Sequence, residues 1–508
     1  MGLEQIGKFV MKAAAQKYSM NQQRKAQKAS AAQSSAPQRQ DVLVNKQSNN
    51  DPVYVQYGTH RMGGTRVYVE SSDGSGNTSG TTKLNMVLVI CEGQIHDIKK
   101  VYFNDTIVWD STNGGTKAYN TTTKGYGLSG FISKYAPTIT MNWYTGTTTT
   151  GNFPNYPGTI GSDQRYDRDL STSVSTGNWN ANHKLLGVCY CVLLLEANSE
   201  VYAGQLPTVT IEQTGKRLLN VDALTDGDTN PNSGDYTVQN YYQNPAEVLY
   251  DYLISDIYGK GLDRDENGDY LAGKDIDLAS FRQAKSDCAS ARTKIVNGAV
   301  TNLAYGIDGF LQTEKQLFDN VGEILETCNG MLLFIDGKYH LKIEKPNEHL
   351  GLPQSKIFTK ENIIGEIQLS MPTKSTKLNK ITGTFSNPAT KYNDDVIIID
   401  NPTYRLEDNG SVLETTADYT LITDADLVTD LLTQTLDKSR VTSTLTFTAA
   451  HTALELRSGD VIEVRHPEFG WGTGAGETQK FWRVVELKLT EDNTVEVSAV
   501  TYDSALEL

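Results

Sequence analysis

Most of the alternation between apolar and polar positions in this chain has a period of two. Thr65-Arg66-Val67-Tyr68-Val69-Glu70 alternates and Leu84–Ile90 is a short apolar run, so both read as strands, separated by a Gly/Ser/Asn loop at 71–82. Glu92-Gly93 reads as a turn. Lys100–Phe103, the polar tip Asn104-Asp105 and Thr106–Trp109 predict a hairpin. Strand pattern resumes at Lys184–Glu196 and Leu206–Glu212. It returns near 379–386, 394–400, 441–449, 460–465, 480–489 and 494–501. Met331–Ile335, the turn Asp336-Gly337 and Lys338–Ile343 predict a second hairpin.

Helical spacing is confined to a few stretches. Asn244-Pro245-Ala246-Glu247 offers an N-cap, a proline at the first helical position and an early acid, and Val248, Leu249, Tyr252 and Leu253 follow on one face. A second helix is predicted over 277–291 with Leu278, Phe281, Ala284 and Cys288 inward. A third opens on Thr313-Glu314-Lys315-Gln316, read as a capping box, and stops at Asn329-Gly330. A fourth lies near 424–438, capped by Thr423 or Asp424. Leu3, Ile6, Val10 and Ala14 also keep helical spacing, with Lys8 and Lys12 opposite. Beyond about Tyr18 the chain turns to Gln, Ala, Ser and Lys and reads as a mobile linker.

These patterns divide the 508 residues into a basic arm and linker (1–46), a first β domain (47–110 with 183–239), an insertion (111–182), a small α/β domain (240–350) and a second β domain (351–508). The insertion is rich in Gly, Thr, Asn and Tyr and poor in aliphatics, so it is expected to be looped and to build no large core. The class expected is mainly β with an α+β part.

Charge sharpens the division. The arm carries eight basic residues and two acids, a net +6; with the whole chain at -15, residues 47–508 carry -21. That sign is wrong for a general nucleic-acid binder. The longest apolar run, Leu186 to Leu195, is half of what a membrane helix needs, and Lys8 and Lys12 interrupt the N-terminal stretch as they would not in a signal peptide. No stable membrane insertion is expected. Five scattered cysteines in apolar surroundings read as buried free thiols made in a reducing cytoplasm.

No catalytic constellation is present: there is no GxSxG, HExxH, Walker loop or CxxC, and the seven histidines are isolated. No catalytic residue and no cofactor is assigned. One segment has metal-like spacing. Asp263, Asp265, Asn267 and Asp269 alternate oxygen ligands as in the first half of a calcium loop, with Gly268 for the turn. Lys274 stands where the bidentate glutamate belongs, so the segment also reads as an acidic turn. Tyrosine outnumbers phenylalanine two to one, 26 against 13, which suits wet interfaces or carbohydrate contact.

Four blocks in series carry a resemblance. The first is Arg61-Met62-Gly63-Gly64, then Arg66–Val69, Leu84–Ile90, Glu92-Gly93-Gln94-Ile95 and Val101–Asp105. The second runs from Asn244-Pro245-Ala246 through Leu249–Leu253 to Tyr258-Gly259, Gly261-Leu262 and Ile276–Phe281. The third is Tyr305–Thr313 with the helix and hairpin to Ile343; the fourth is Ser458–Glu463 with Trp482-Arg483-Val484 and the strand to Thr501. Together these resemble the tail-tip hub family of long-tailed bacteriophages, the proteins similar to tip attachment protein J. Ile257 stands where that family often has arginine, and 111–182 has no counterpart.

The resemblance implies β-barrel-like hub domains plus a small α/β domain, in a virion protein at the distal tail tip, assembled in the host cytoplasm. It implies a non-enzymatic homotrimer that meets a hexameric distal-tail or tail-tube ring. It also implies contact with the tape measure protein and with fibre or spike proteins, and DNA passing without specific binding. Larger members continue into receptor-binding regions, so host recognition is expected to reside in separate proteins. The alternatives are a tail-associated receptor or carbohydrate-binding protein, and a cell-wall hydrolase.

Overall fold

A computed structural model describes residues 43–47, 52–72, 83–119, 125–146, 185, 187–202, 205–229, 243–290, 292–296, 299–490 and 492–507. The predicted arm helix and nearly all of its linker, most of the 71–82 loop and residues 120–124 and 147–182 of the predicted insertion lie outside them.

The chain is mostly β. A nine-stranded and a four-stranded sheet share the first core. In the larger, Thr65–Ser72, Lys83–Glu92, Val188–Glu196 and Ile139–Tyr144 lie side by side. In the smaller, the order is Thr59–Gly63, Val209–Lys216, Ile95–Phe103 and Thr106–Asp110. Between them lie Met86, Leu88, Val101, Trp109, Trp143 and Leu193, all at most 1% exposed.

The chain steps from one sheet to the other at two glycines. Gly58 (φ +62) joins Tyr54–Tyr57 to Thr59–Gly63, and Gly93 (φ +82) joins Lys83–Glu92 to Ile95–Phe103. A Cβ at Gly58 would stand 2.1 Å from the Ile307 carbonyl oxygen, so neither the torsion nor the space admits a side chain. The Asn104-Asp105 and Asp336-Gly337 tips turn with positive φ at both residues, as two-residue hairpins require.

The expectation of a looped insertion is corrected over its described part. Thr116–Tyr119, Tyr126–Ser129 and Ile139–Tyr144 are strands that extend the large sheet beyond Val188–Glu196. Ile139, Met141 and Trp143 are buried and alternate with Thr140 and Asn142. A few large side chains at period two suffice for a one-sided strand, though their share of the composition is small.

Five helices matter to the rest: α1 (Pro245–Ile254), α2 (Leu278–Ala289), α3 (Leu317–Glu326), α4 (Pro402–Glu407) and α5 (Ala425–Val441). Asn244 caps α1, accepting from the Ala246 N–H, and Asp424 caps α5. The capping box predicted at Thr313 does not form. Gln316 precedes α3 without a side-chain cap, and the Thr313 hydroxyl donates to the Val53 carbonyl, 3.1 Å away. Tertiary contact there outbids the local motif.

Helices α1, α2 and α3 share a second core with the Gly330–Ile335/Lys338–Ile343 hairpin. That core continues into the sheet Asn393–Asp400, Lys380–Asn387, Glu414–Tyr419 and into α5. The residues read as a second β domain therefore divide between this core and a third. The third belongs to a six-stranded sheet in the order Ile357–Phe358, Val461–Val464, Phe481–Leu489, Val495–Tyr502, Thr444–Ala449, Ile363–Ser370. Its two outermost strands are joined by residues 359–362 alone. Laid flat, six strands would put those edges about 24 Å apart, and such a link spans at most about 17 Å, so the sheet must curl toward a barrel. All five cysteines are buried and free. Among the described residues no helix is long and apolar enough to cross a membrane.

Candidate assembly interface and its buried supports

The calcium-like segment places its acids on separate tasks. Asp263 is fully buried at φ +55. Its Oδ1 accepts from the N–H groups of Asp275 (2.8 Å) and Ile276 (3.1 Å), and its Oδ2 from Gly273 N–H and the Tyr250 hydroxyl (both 3.0 Å). Burial pushes its carboxyl up, and these bonds pull part of that back. The Asp265 carboxylate accepts instead from Asn267 and Asp269 N–H, both 2.8 Å, which holds it below the usual carboxylate range. Lys274 donates to the Arg264 carbonyl. Among the described residues no group of three or more His, Cys, Asp or Glu side chains is arranged to hold a metal ion.

Buried charges do occur, where the sheets and helices meet. Lys216 and Asp251 form an ion pair at 3.2 Å with side chains 7% and 3% exposed. The hydroxyls of Tyr57 and Tyr258 both donate to Asp251 Oδ2 at 2.7 Å, and Lys216 also reaches the Tyr258 hydroxyl. Tyr57 comes from the large sheet, Lys216 from the small one and Asp251 from α1, so one cluster fastens three elements. Burial lifts the neighbouring Glu92 carboxyl, against the pull of the Lys216 ammonium.

A second tie holds the curled sheet. Arg483 (side chain 4% exposed) donates to Glu348 at 2.8 and 3.3 Å and to the Gly459 carbonyl at 3.1 Å. Glu344 lies 3.6 Å from it, Lys342 pairs with Glu348 at 2.9 Å, and Lys438 pairs with Glu344 (2.9 Å) and Glu507 (2.7 Å). Burial would lift the Glu348 carboxyl, but Arg483 and Lys342 hold it below the glutamate range. A third tie is Arg61, 2% exposed, which donates to Asp105, to Thr210 Oγ1 and to the Lys391 carbonyl, and lies 4.2 Å from the Tyr102 ring centre.

Each tie has at least one member inside the blocks that carried the family resemblance. Arg61, Asp105, Glu92, Tyr258 and Arg483 all belong to them. Sequence reasoning did not single out Lys216 or Asp251. The available signal was a lysine closing a buried strand and an aspartate within the apolar run of α1, both costly unless paired.

What remains for outside contact is strand edge and apolar surface. Thr116–Tyr119 ends the large sheet with all four residues exposed, Tyr119 at 51%. Asn393–Asp400 ends the three-stranded sheet with Val396 and Ile398 more than half exposed. Among the described residues these strands end their sheets, and assemblies add chain to such strands or cover them. The geometry suits joining surfaces held rigid from behind.

No protein-family model matches the chain. The chain is similar to baseplate hub protein pb3 of Escherichia phage T5, 23% identical over 340 residues, which cover 64% of this chain and 32% of that protein. The match thus spans about a third of the relative's length. Among solved structures it is similar to a chain from the virion of a native gene transfer agent particle, 12% identical with a TM-score of 0.59, covering 91% of this chain and 87% of that one. At that identity the likeness speaks to fold alone, a mainly β fold shared over most of both chains.

Proposed function

We propose that this chain, whose likenesses support a place in the phage tail hub family, is a structural hub protein at the tail tip of a long-tailed bacteriophage. A structural tail role and a location in the virion follow from its relatives, which are parts of phage tail and virion particles. Three copies close the distal end of the tail tube against a hexameric ring. Two β bodies, the one built on 47–110 with 183–239 and the curled sheet within 351–508, supply six similar units to that ring, and 240–350 braces them. The collar docks fibre or spike proteins and lets the tape measure protein and DNA pass. Assembly occurs in the host cytoplasm, and no reaction is catalysed.

The observation that carries this reading is the 340-residue likeness to the hub protein. Physics agrees with it in two respects. Residues 47–508 are strongly acidic, and acids facing a bore would repel DNA phosphates rather than hold them. Strands that end a sheet among the described residues would be covered in a ring.

The test is the mass and position of the protein in purified particles. Three copies at the tail tip by native mass spectrometry and electron microscopy are expected. A single copy, or a position along the shaft, overturns the reading. Clearing of host cell wall in a zymogram by the isolated chain would overturn the non-enzymatic part.

A further inference from the structure

Cys91 and Cys189 meet across the large sheet. They are register partners in the antiparallel ladder between Lys83–Glu92 and Val188–Glu196. Directly opposite residues in such a ladder have Cα atoms about 4.5 or 5.5 Å apart, and both spacings lie within the span that a disulfide bridges. The side chains follow the backbone. The Cys91 thiol hydrogen-bonds that of Cys189, and one buried amide touches both sulfurs. Gln213 Nε2 donates to the Cys91 sulfur at 3.1 Å, and the Cys189 thiol donates to Gln213 Oε1 at 3.6 Å. Cys191, two residues on, has Leu88 and Trp143 as its register partners.

Both thiols are fully buried, so a reagent reaches them only through a local opening. The pair sits where the opening needed is small. The register shifts between Cys189 and Tyr190, and Ile90 is passed over in this ladder. Beyond that bulge only the pairs Cys189–Cys91 and Val188–Glu92 remain before both strands end. Freeing two pairs at a bulged strand end costs less than unfolding the sheet. A reagent that waits for such an opening reacts slowly. Brief alkylation therefore leaves the pair untouched, while prolonged exposure to an oxidant closes it.

We propose that Cys91 and Cys189 are a site of reversible disulfide formation, closed by a low-molecular-weight disulfide such as oxidised glutathione and reopened by small thiols. One cysteine thiolate attacks the small disulfide and expels a thiolate. The second cysteine then attacks the protein sulfur of the mixed disulfide and expels the other. The Cys91–Cys189 bond forms as the bond of the small disulfide breaks. The protein is oxidised by two electrons, the small disulfide is reduced by two, and the two cysteine protons end on the two released thiols. Oxidation also takes from Gln213 Oε1 the S–H that it accepts, a cost that favours the reduced form and keeps the bond reducible. The closed bond ties the two ends of the stretch 92–188, which removes chain entropy from the unfolded state. On the proposed function the chain would pass from a reducing cytoplasm into an oxidising medium, and the bond would brace the first β body after release. The chemistry itself does not depend on that function.

The test holds the full native chain in oxidised glutathione at pH 8 for a day, alkylates it with iodoacetamide in denaturant, and maps its peptides without reduction. Chymotrypsin cuts after Tyr190 and so separates Cys189 from Cys191. A peptide joining Cys91 to Cys189 is expected, two hydrogens lighter than the sum of its parts and abolished by dithiothreitol. Alkylation of Cys91 and Cys189 is expected to fall together by about tenfold relative to untreated protein, while Cys191 keeps its label. Glutathione left on one cysteine without the bond, a bond to Cys191, a bond only between copies, or no bond after a day would overturn the proposal.

Discussion

Replacing Arg483 by methionine would test whether the buried charges hold the curled sheet to the helices. Methionine keeps most of the stem volume and removes the guanidinium. Three carboxylates, Glu344, Glu348 and Glu507, now share three cations, Arg483, Lys342 and Lys438. The substitution leaves two cations and orphans the bidentate side of Glu348, whose side chain is 9% exposed. Removing one member of such a buried group costs about 3–5 kcal/mol. Trp471 and Trp482 lie in that core and report on it by fluorescence during urea unfolding. At a slope of about 2 kcal/mol per molar urea, the midpoint of that transition is expected to fall by roughly 1.5–2.5 M.

The sign with pH follows from Glu348. Its folded carboxyl titrates below the unfolded value, so its contribution is complete above the ordinary glutamate range and is lost as pH falls through the folded value. The parent should lose stability on acidification through the glutamate range, and Arg483→Met should lose less. Adding Glu348→Gln to Arg483→Met should restore part of the loss. A midpoint shift below about 0.5 M with an unchanged acid profile would refute the reasoning.

Other consequences are as direct. Asp251→Asn removes the charge that Lys216, Tyr57 and Tyr258 share, and is expected to lower stability by about 3 kcal/mol in chemical denaturation. Gly58→Ala must clash with the Ile307 carbonyl and adopt a left-handed torsion, so either a loss of 2 kcal/mol or more, on the order of other strained sites, or failure to express soluble protein is expected, whereas Gly114→Ala, with open space around it, should cost only about 1 kcal/mol. Burial raises the thiols of Cys91, Cys191 and Cys288 above their ordinary range, so alkylation by iodoacetamide at pH 8 is expected to be negligible in native protein and complete in denaturant.

Period-two alternation and hairpin tips were legible because each is local. Asn104-Asp105 and Asp336-Gly337 specify their turns from two residues, and Asn244-Pro245 starts α1 with no help from distant chain. The strand edges in 379–400 and 441–502 fall within a few residues of expectation for the same reason. Thr313 shows where this ends: a capping sequence is outweighed when its hydroxyl finds a carbonyl 260 residues away. The strands of 116–144 were hidden for a different reason. Composition averages over a window, whereas burial depends on parity, and Ile139, Met141 and Trp143 need only every second place. Lys216 and Asp251 were invisible because a lone lysine and a lone aspartate look like surface residues until their strand and helix are brought together.

The positions of the buried charges bear on what this architecture can do. On the proposed function the β bodies must move together under load, and apolar cores alone are indifferent to small sliding. Charged hydrogen bonds are not, because a displaced partner leaves an uncompensated ion in a low-dielectric setting. Arg61 links the first β body to the turn at Lys391, the Lys216–Asp251 cluster links it to α1, and Arg483 links the curled sheet to the strand-end glutamates at 344–348. Each junction between cores therefore has a penalty for shear. Among the described residues Thr116–Tyr119 and Asn393–Asp400 end their sheets, so a partner that pairs there meets surfaces fixed from behind.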